Sequence, residues 1–380
     1  MNARRVLSPS LLALSLCAAS LATAHPEYRV TIVAPAGSYA TDINSKGVVV
    51  GYYPHSATSV HAFLNRGKGL VDLGTLRGTN SAAIAINNKG QVLGDWISAG
   101  GQRRGFIYHH GSVRDIGVQP GRRTFYTDIN DQGFITAYGS RTDSTGGQDG
   151  FLRAPDGRFT NIGAVPNTES EFSMTHAYAL NNSNRIAGSS GPLTFPDQPL
   201  RAIVWSAGVM RDLGDFGWAP NAATAINDCG QLTGYASVPS AFFRDRVAFV
   251  YANGRMIDID QRPASVERNS SGTGINNHGH VVGSSDHLSG FIYRGKRMQS
   301  LNALIDPRLR WNIASPQAIN DSGQIAATAY RNGVQYAVRL DLIRPHLARL
   351  PDGVDTTSQA IPDAADTNAV ARELARPVQQ

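Results

Sequence analysis

The chain has 380 residues, of which 41% are apolar and 17% charged, with 39 glycines, 19 prolines and a formal charge of +6. That balance excludes disorder over most of the length, and no Gly triplet or heptad runs through the chain to support a collagen or a coiled coil. Its basic residues form no dense run and match no nucleic-acid motif, so the positive charge does not imply a nucleic-acid partner.

Residues 1–24 read as a secretory signal, with a basic start at Arg4 and Arg5, an apolar stretch Val6–Leu21 and the small-residue end Ala22-Thr23-Ala24. Pro9 and several serines interrupt the apolar stretch, which is too short for a membrane span. Leu16 before Cys17 lacks the small side chain that lipoprotein processing needs. The expectation is an exported protein, periplasmic or extracellular, with no membrane span. Without the leader Cys229 is the single cysteine, so packing rather than an internal disulfide must hold the fold.

A motif then recurs: a small-residue run, Ile-Asn, two polar residues, Gly, three mostly apolar residues, and Gly or Ala. Its asparagines are Asn44, Asn87, Asn130, Asn181, Asn227, Asn276 and Asn320, spaced 43, 43, 51, 46, 49 and 44 residues apart. Each copy spells four short strands. The first ends at Ile-Asn and the second is typified by Gln91–Gly94. The third has an aromatic or aliphatic centre, as in His61-Ala62-Phe63-Leu64 or Gly105-Phe106-Ile107-Tyr108, and the fourth reads like Val71-Asp72-Leu73-Gly74. Turns such as Asn253-Gly254 supply the positive φ of tight hairpins. In the first turn, Gly47, Gly90, Gly133, Gly230, Gly279 and Gly323 share one position, and Asn184 takes it in the fourth copy. Glycine and asparagine both tolerate a left-handed backbone, so this position is conformational. The recurring Asn is expected to brace the turn through its amide.

Repeats of four strands at this period predict an all-β fold, a seven-bladed β-propeller of four-stranded antiparallel blades over residues 25–344. The seventh copy lacks a fourth strand, and Tyr28–Val33 before the first copy offers one. Pairing it with Tyr336–Leu340 would close the ring and remove an exposed edge. An open β-array is the other arrangement. Residues 345–380, rich in Pro and Ala, read as a mobile tail or a short helix over Asp363–Arg376.

The copies resemble the HAF family of bacterial extracellular repeats, through His61-Ala62-Phe63, the Ile-Asn-x-x-Gly turn and the following Val-x-Gly. The likeness runs from about Tyr39 to Leu340. It departs at Asn184, at Ala137 and Ala327 for the closing Gly, and in a weak third strand of the seventh copy. The resemblance implies export and repeat identity, and no reaction.

An innermost Ile-Asn strand would place the tips Lys46, Lys89, Gln132, Ser183, Cys229, His278 and Ser322 on one face. The longer, variable loops then lie opposite, where ligand sites are expected. Three groups gather there. Ser38, Ser81, Thr124, Thr175, Asn221 and Ser270 begin inner strands, with Ala314 the exception. Tyr52, Tyr53, Trp96, Tyr138 and Tyr235 follow second strands, with Trp218 and Trp311 nearby. Arg77, Arg122, Arg123, Arg141, Arg268 and Arg310 flank them, and His176 joins the candidates. Aromatic faces with guanidinium forks suit a glycan or an anionic polymer, while strand caps and packing are the plainer account. A protein partner also fits such a face.

His278, His280, Asp286 and His287 lie close in sequence but match no zinc spacing, so neither metal nor cofactor is expected. Asp42 and Asp128 point from two inner strands and make a weak carboxylate pair. The leading expectation is an exported binding or scaffold protein. The alternative is a propeller hydrolase or lyase acting on a polysaccharide or peptide, with His176, Tyr138 and Arg123 as catalysts.

Overall fold

Short apolar-centred runs separated by Gly, Asn and Pro dictate strands rather than helices, and the computed structural model has 28 strands and two 3-10 turns among its described residues. It describes residues 26–76, 78–141, 147–165, 173–192, 200–239 and 245–344. The leader at 1–24 and the tail at 345–380 lie outside the described residues.

The strands pair as antiparallel meanders in chain order. Residues 39–74, 80–117, 222–258 and 270–300 each form a four-stranded sheet. Residues 122–161 and 173–212 form two more such units, joined into one eight-stranded sheet by a single parallel pair, Gln148 with Met174. The remaining sheet draws on both ends of the described chain. Its order is Tyr28–Ile32, Val334–Leu342, Ile325–Arg331 and Trp311–Ile319.

The opening strand pairs Tyr28 with Leu342 through to Ile32 with Val338. Val334–Leu342 is nine residues long, not the weak strand its sequence suggests. Partners on both sides give its backbone a full ladder despite its polar residues. Glu27 extends the attachment, donating through its N–H to the Leu304 carbonyl and forming an ion pair with Arg294.

Every inner strand carries a β-bulge at the equivalent place, where the register shifts around Thr41, Ile84, Thr127, Tyr178, Thr224, Thr273 and Gln317, and Trp311–Ile319 has a second shift at Ala314. The extra residue kinks the strand and re-aims its side chain. All seven of these residues line one central cavity of about 220 Å³. The bulge also pushes an inner-strand carbonyl against the closing glycine. A Cβ on Gly188 would stand 2.0 Å from the His176 carbonyl oxygen.

The turn after each inner strand is left-handed as expected, with φ of 82° at Gly90 and 57° at Asn184. The motif asparagine braces it, since Asn44 Oδ1 accepts from the backbone N–H groups of Lys46 and Val48 at 3.1 Å each. Its amide does more than the turn requires. Asn44 Nδ2 donates to the carbonyl of Asn87 in the next unit, and the same link runs from Asn87 to Asn130, Asn181, Asn227, Asn276 and Asn320.

The core lies between units. Phe63, Phe106, Phe249 and Phe291, the third-strand aromatics, are fully buried, and burying each is worth roughly 1.5–3 kcal/mol. One cluster joins Phe63 and Val49 of the first unit to Ala326 and Ala337 of the last.

Candidate functional site

Strand alternation and the shared closing position put Tyr52, Tyr138 and Tyr235 at equivalent places, each one residue past Gly or Ala on a second strand. Around Tyr138 the rings converge. It stacks on Phe125, its inner-strand partner, with centroids 5.2 Å apart, and lies 4.7 Å from the His176 ring of the neighbouring unit. Tyr178, the bulge residue of that unit, packs edge-on to Tyr138 at 6.3 Å and contributes to the wall of the central cavity. Its phenol also senses Tyr235 one unit further on.

Cations border this aromatic patch. Arg103 lies over Phe125 at 5.5 Å and forms an ion pair with Asp95, while Arg246 lies over Tyr235 at 5.1 Å. Arg122 and Arg141 both hold the buried Asp149 carboxylate, at 2.6 and 2.9 Å. Arg123, on the same strand as Phe125, is exposed.

Burial pushes the His176 ring down to about 4, so it is neutral near pH 7. Its Nε2–H donates to Gln148 Oε1, which leaves Nδ1 to accept from the Tyr178 hydroxyl at 2.8 Å. Burial likewise raises the Tyr178 phenol to about 12. Both His176 nitrogens are engaged, which suits a fixed stacking surface better than a proton shuttle.

The other expected residues scatter. Tyr52 stacks on the exposed Tyr39 at 4.9 Å, in the first unit. Trp96 is half-buried beneath Arg104, whose guanidinium carbon is 6.0 Å from the ring. Tyr53 is buried, Trp218 is exposed, and Trp311 packs edge-on to Tyr336 against the last unit's core. Arg310 is exposed, with a left-handed backbone after a 3-10 turn. Arg77 lies outside the described residues.

Two readings need correction. Arg268 is buried and forms an ion pair with Asp258 at 3.0 Å while donating to the carbonyls of Asp260 and Arg262, so it props a loop instead of facing a ligand. The polar residues that begin inner strands are buried too. Ser38, Ser81 and Ser270 accept from the backbone N–H groups of Ala337, Ala62 and Ala248, each on a third strand of the preceding unit. At Ala62 a register shift has displaced the fourth strand, and the hydroxyl serves the ladder position it disturbs. Asn221 accepts from Ser237 N, Thr124 from Gln119 N, and Thr175 bonds to Ser190. These six are cross-braces.

Asp42 and Asp128 do face the central cavity. Burial raises their carboxyls to about 7 and about 6, against bonds from the backbone N–H groups of Ile86 and Ile43, and of Leu180 and Ile129. The opposite mouth, about 210 Å³, is rimmed by Asp131, Asp228 and Asp321, which accept from the backbone N–H groups of Asn88, Asn182 and Asn277. Cys229 is exposed there, and its thiol is raised by partial burial and then by Asp228 and Asp321. Near residue 280, Asp286 is paired with Arg262 and His280 is buried. Phe125, Tyr178, Arg103 and Gln148 were not singled out by sequence. For Phe125 and Tyr178, the alternation of an inner strand with its bulge would have been the signal.

No protein-family model and no curated protein matches the chain. Among solved structures it is similar to the Pyrococcus horikoshii acylaminoacyl peptidase, at TM-score 0.50 and 10% identity, over 79% of this chain and 52% of that one. The fold is a β-propeller. This propeller is also similar to YCF48 bound to D1 peptide, at TM-score 0.47 and 10% identity, over 83% and 97% of the two chains. The SapL1 lectin in complex with alpha methyl fucoside is similar at TM-score 0.37 and 12% identity, over 80% and 93%. No helix among the described residues is long and apolar enough to cross a membrane.

Proposed function

We propose that this is an exported, closed seven-bladed propeller of the HAF repeat type that binds an extracellular glycan on its variable-loop face. Seven four-stranded units, an opening strand that completes the last of them, and an Asn320-to-Asn44 bond that completes the series of inter-unit links support the closed ring.

One observation carries the ligand class. Phe125, Tyr138, His176 and Tyr178 form a continuous ring surface across two units, bordered by the exposed guanidinium groups of Arg123 and of Arg246 over Tyr235. Sugar C–H faces stack on such rings, and guanidinium forks pair with carboxylates, so carboxylated polysaccharides are the favoured class. The neutral, doubly bonded His176 keeps this surface in one geometry over the neutral pH range.

The test is a glycan array probed with the purified protein and with Tyr138→Ala. Retention of a carboxylated glycan, weakened about tenfold or more in the variant, is expected for one lost stacking contact with its packing. Shortened products released from the array would instead favour the hydrolase or lyase alternative. A variant that binds as well as the parent would overturn this placement.

A further inference from the structure

In the second and fourth units an arginine on the third strand pairs with an aspartate on the fourth, Arg104 with Asp115 and Arg201 with Asp212, both at 2.8 Å. The first unit places His61 and Asp72 at these positions, with His61 Nδ1 2.9 Å from Asp72 Oδ2. A guanidinium cannot ligate a cation, whereas a neutral imidazole can. The exchange turns a surface ion pair into two metal donors.

A third donor arrives from the loop after the second strand. His55 lies flat against His61, with ring centroids 3.9 Å apart and planes 4° apart, and its Nδ1 is 3.7 Å from the same Asp72 oxygen. The three ligand atoms all lie within 4.8 Å of one another. Tetrahedral zinc with bonds near 2.0–2.1 Å requires ligand separations of about 3.3 Å, and the 2.9 and 3.7 Å distances bracket that value.

The surroundings hold these donors in place. The buried Tyr53 lies beneath both imidazoles, and its hydroxyl is 3.4 Å from His55 Nδ1. Gly74 N–H donates to Asp72 Oδ1 at 2.8 Å, which orients the carboxylate. His55 N–H donates to the Ser59 carbonyl at 2.9 Å and closes the loop. Such outer contacts fix ligand orientation in metal sites.

We propose that His55, His61 and Asp72 form a binding site for a divalent transition metal of the zinc class, with Tyr53 as the neighbouring oxygen. Two imidazoles and a carboxylate suit this class rather than calcium or magnesium, which take oxygen ligands. The half-exposed side leaves coordination positions for water.

The test is zinc titration of the untagged protein at pH 7.5 by calorimetry, with cobalt(II) as a spectroscopic probe of the same site. One equivalent should bind, with intense visible cobalt bands that zinc abolishes. His55→Ala removes a loop side chain with no part in the core and should weaken binding about tenfold or more. His278→Ala should leave the titration unchanged. Far-ultraviolet circular dichroism of each variant confirms that it is folded. Absence of saturable zinc uptake, or uptake that His55→Ala leaves intact, would overturn the proposal.

Discussion

Asn130 donates one amide hydrogen to the side-chain oxygen of Asn184, 2.8 Å away in the neighbouring unit. In the units of Asn87, Asn227 and Asn320, a glutamine four residues on supplies that acceptor, as Gln91, Gln231 and Gln324. Phe134 stands where the third unit would carry its glutamine, so the acceptor comes from next door. Asn184 therefore serves both the left-handed turn and its neighbour. Asn184→Asp keeps the oxygen and should stay within about 0.5 kcal/mol of the parent. Asn184→Ala loses the acceptor and the tolerance for positive φ, and should cost about 2 kcal/mol in urea denaturation.

The Asn320-to-Asn44 bond, 2.9 Å long, spans 276 residues of sequence, against 46 for the Asn181-to-Asn227 bond. Each of these asparagines also braces its own turn, through bonds from Gln324 N and Arg185 N. In a closed ring the two junctions are equivalent. Asn320→Ala and Asn181→Ala should then destabilise alike, by about 1–3 kcal/mol each. A markedly smaller loss for Asn320→Ala in matched thermal melts would mean that the ends part easily.

Tyr28 is 2% exposed and packs into the cluster that holds Ile305, Val338 and Leu340. Tyr28→Ala should cost about 3–5 kcal/mol, as for other buried aromatics. Removing residues 351–380 should leave the melting temperature unchanged. Equal effects of the two changes would show that the opening strand contributes nothing specific.

Asp42 and Asp128 should make stability depend on pH. Their carboxyls sit at about 7 and about 6 in the folded chain, while an unfolded aspartate titrates near ~3.9. Between those values the folded chain binds more protons than the unfolded one, so stability falls as pH rises from about 4 to about 7 and then levels. Each carboxyl contributes at most about 1.4 kcal/mol per pH unit. The equivalent residues in the other units are Ala85, Ala179, Ala225, Gly274 and Ala318, so Asp42→Ala/Asp128→Ala should fold. Denaturation midpoints of this double variant should decline less across that window, and an identical decline would exclude the two carboxyls as its source.

Much of the fold was legible because the repeat exposes backbone requirements seven times over. The turn glycines, the Asn253-Gly254 hairpin and the partner of Tyr28–Ile32 all follow from position and strand count. Contacts between units were harder to read. A side chain that recurs in every copy looks the same whether it bonds within its own copy or across to the next, which hid the second role of Asn44 and the bracing by Ser81. The proposed aromatic site was partly readable. Tyr138, His176 and Tyr235 were singled out, but Tyr178 becomes their neighbour through a bulge, which shifts the strand's alternation by one residue. His55, His61 and Asp72 belong to a loop and two strands, and no spacing rule marks such a meeting.

The bond between Thr31 and Asp341 joins residues 310 positions apart. At ~5–20 residues per second, a ribosome takes roughly 15–60 s to make the intervening chain. Throughout that interval Tyr28–Ile32 has no strand with which to form its ladder. The sheet that holds Trp311–Ile319 therefore gains its last strand from a segment made long before the other three, and a chain still short of Leu342 lacks that pairing, however well ordered its middle has become.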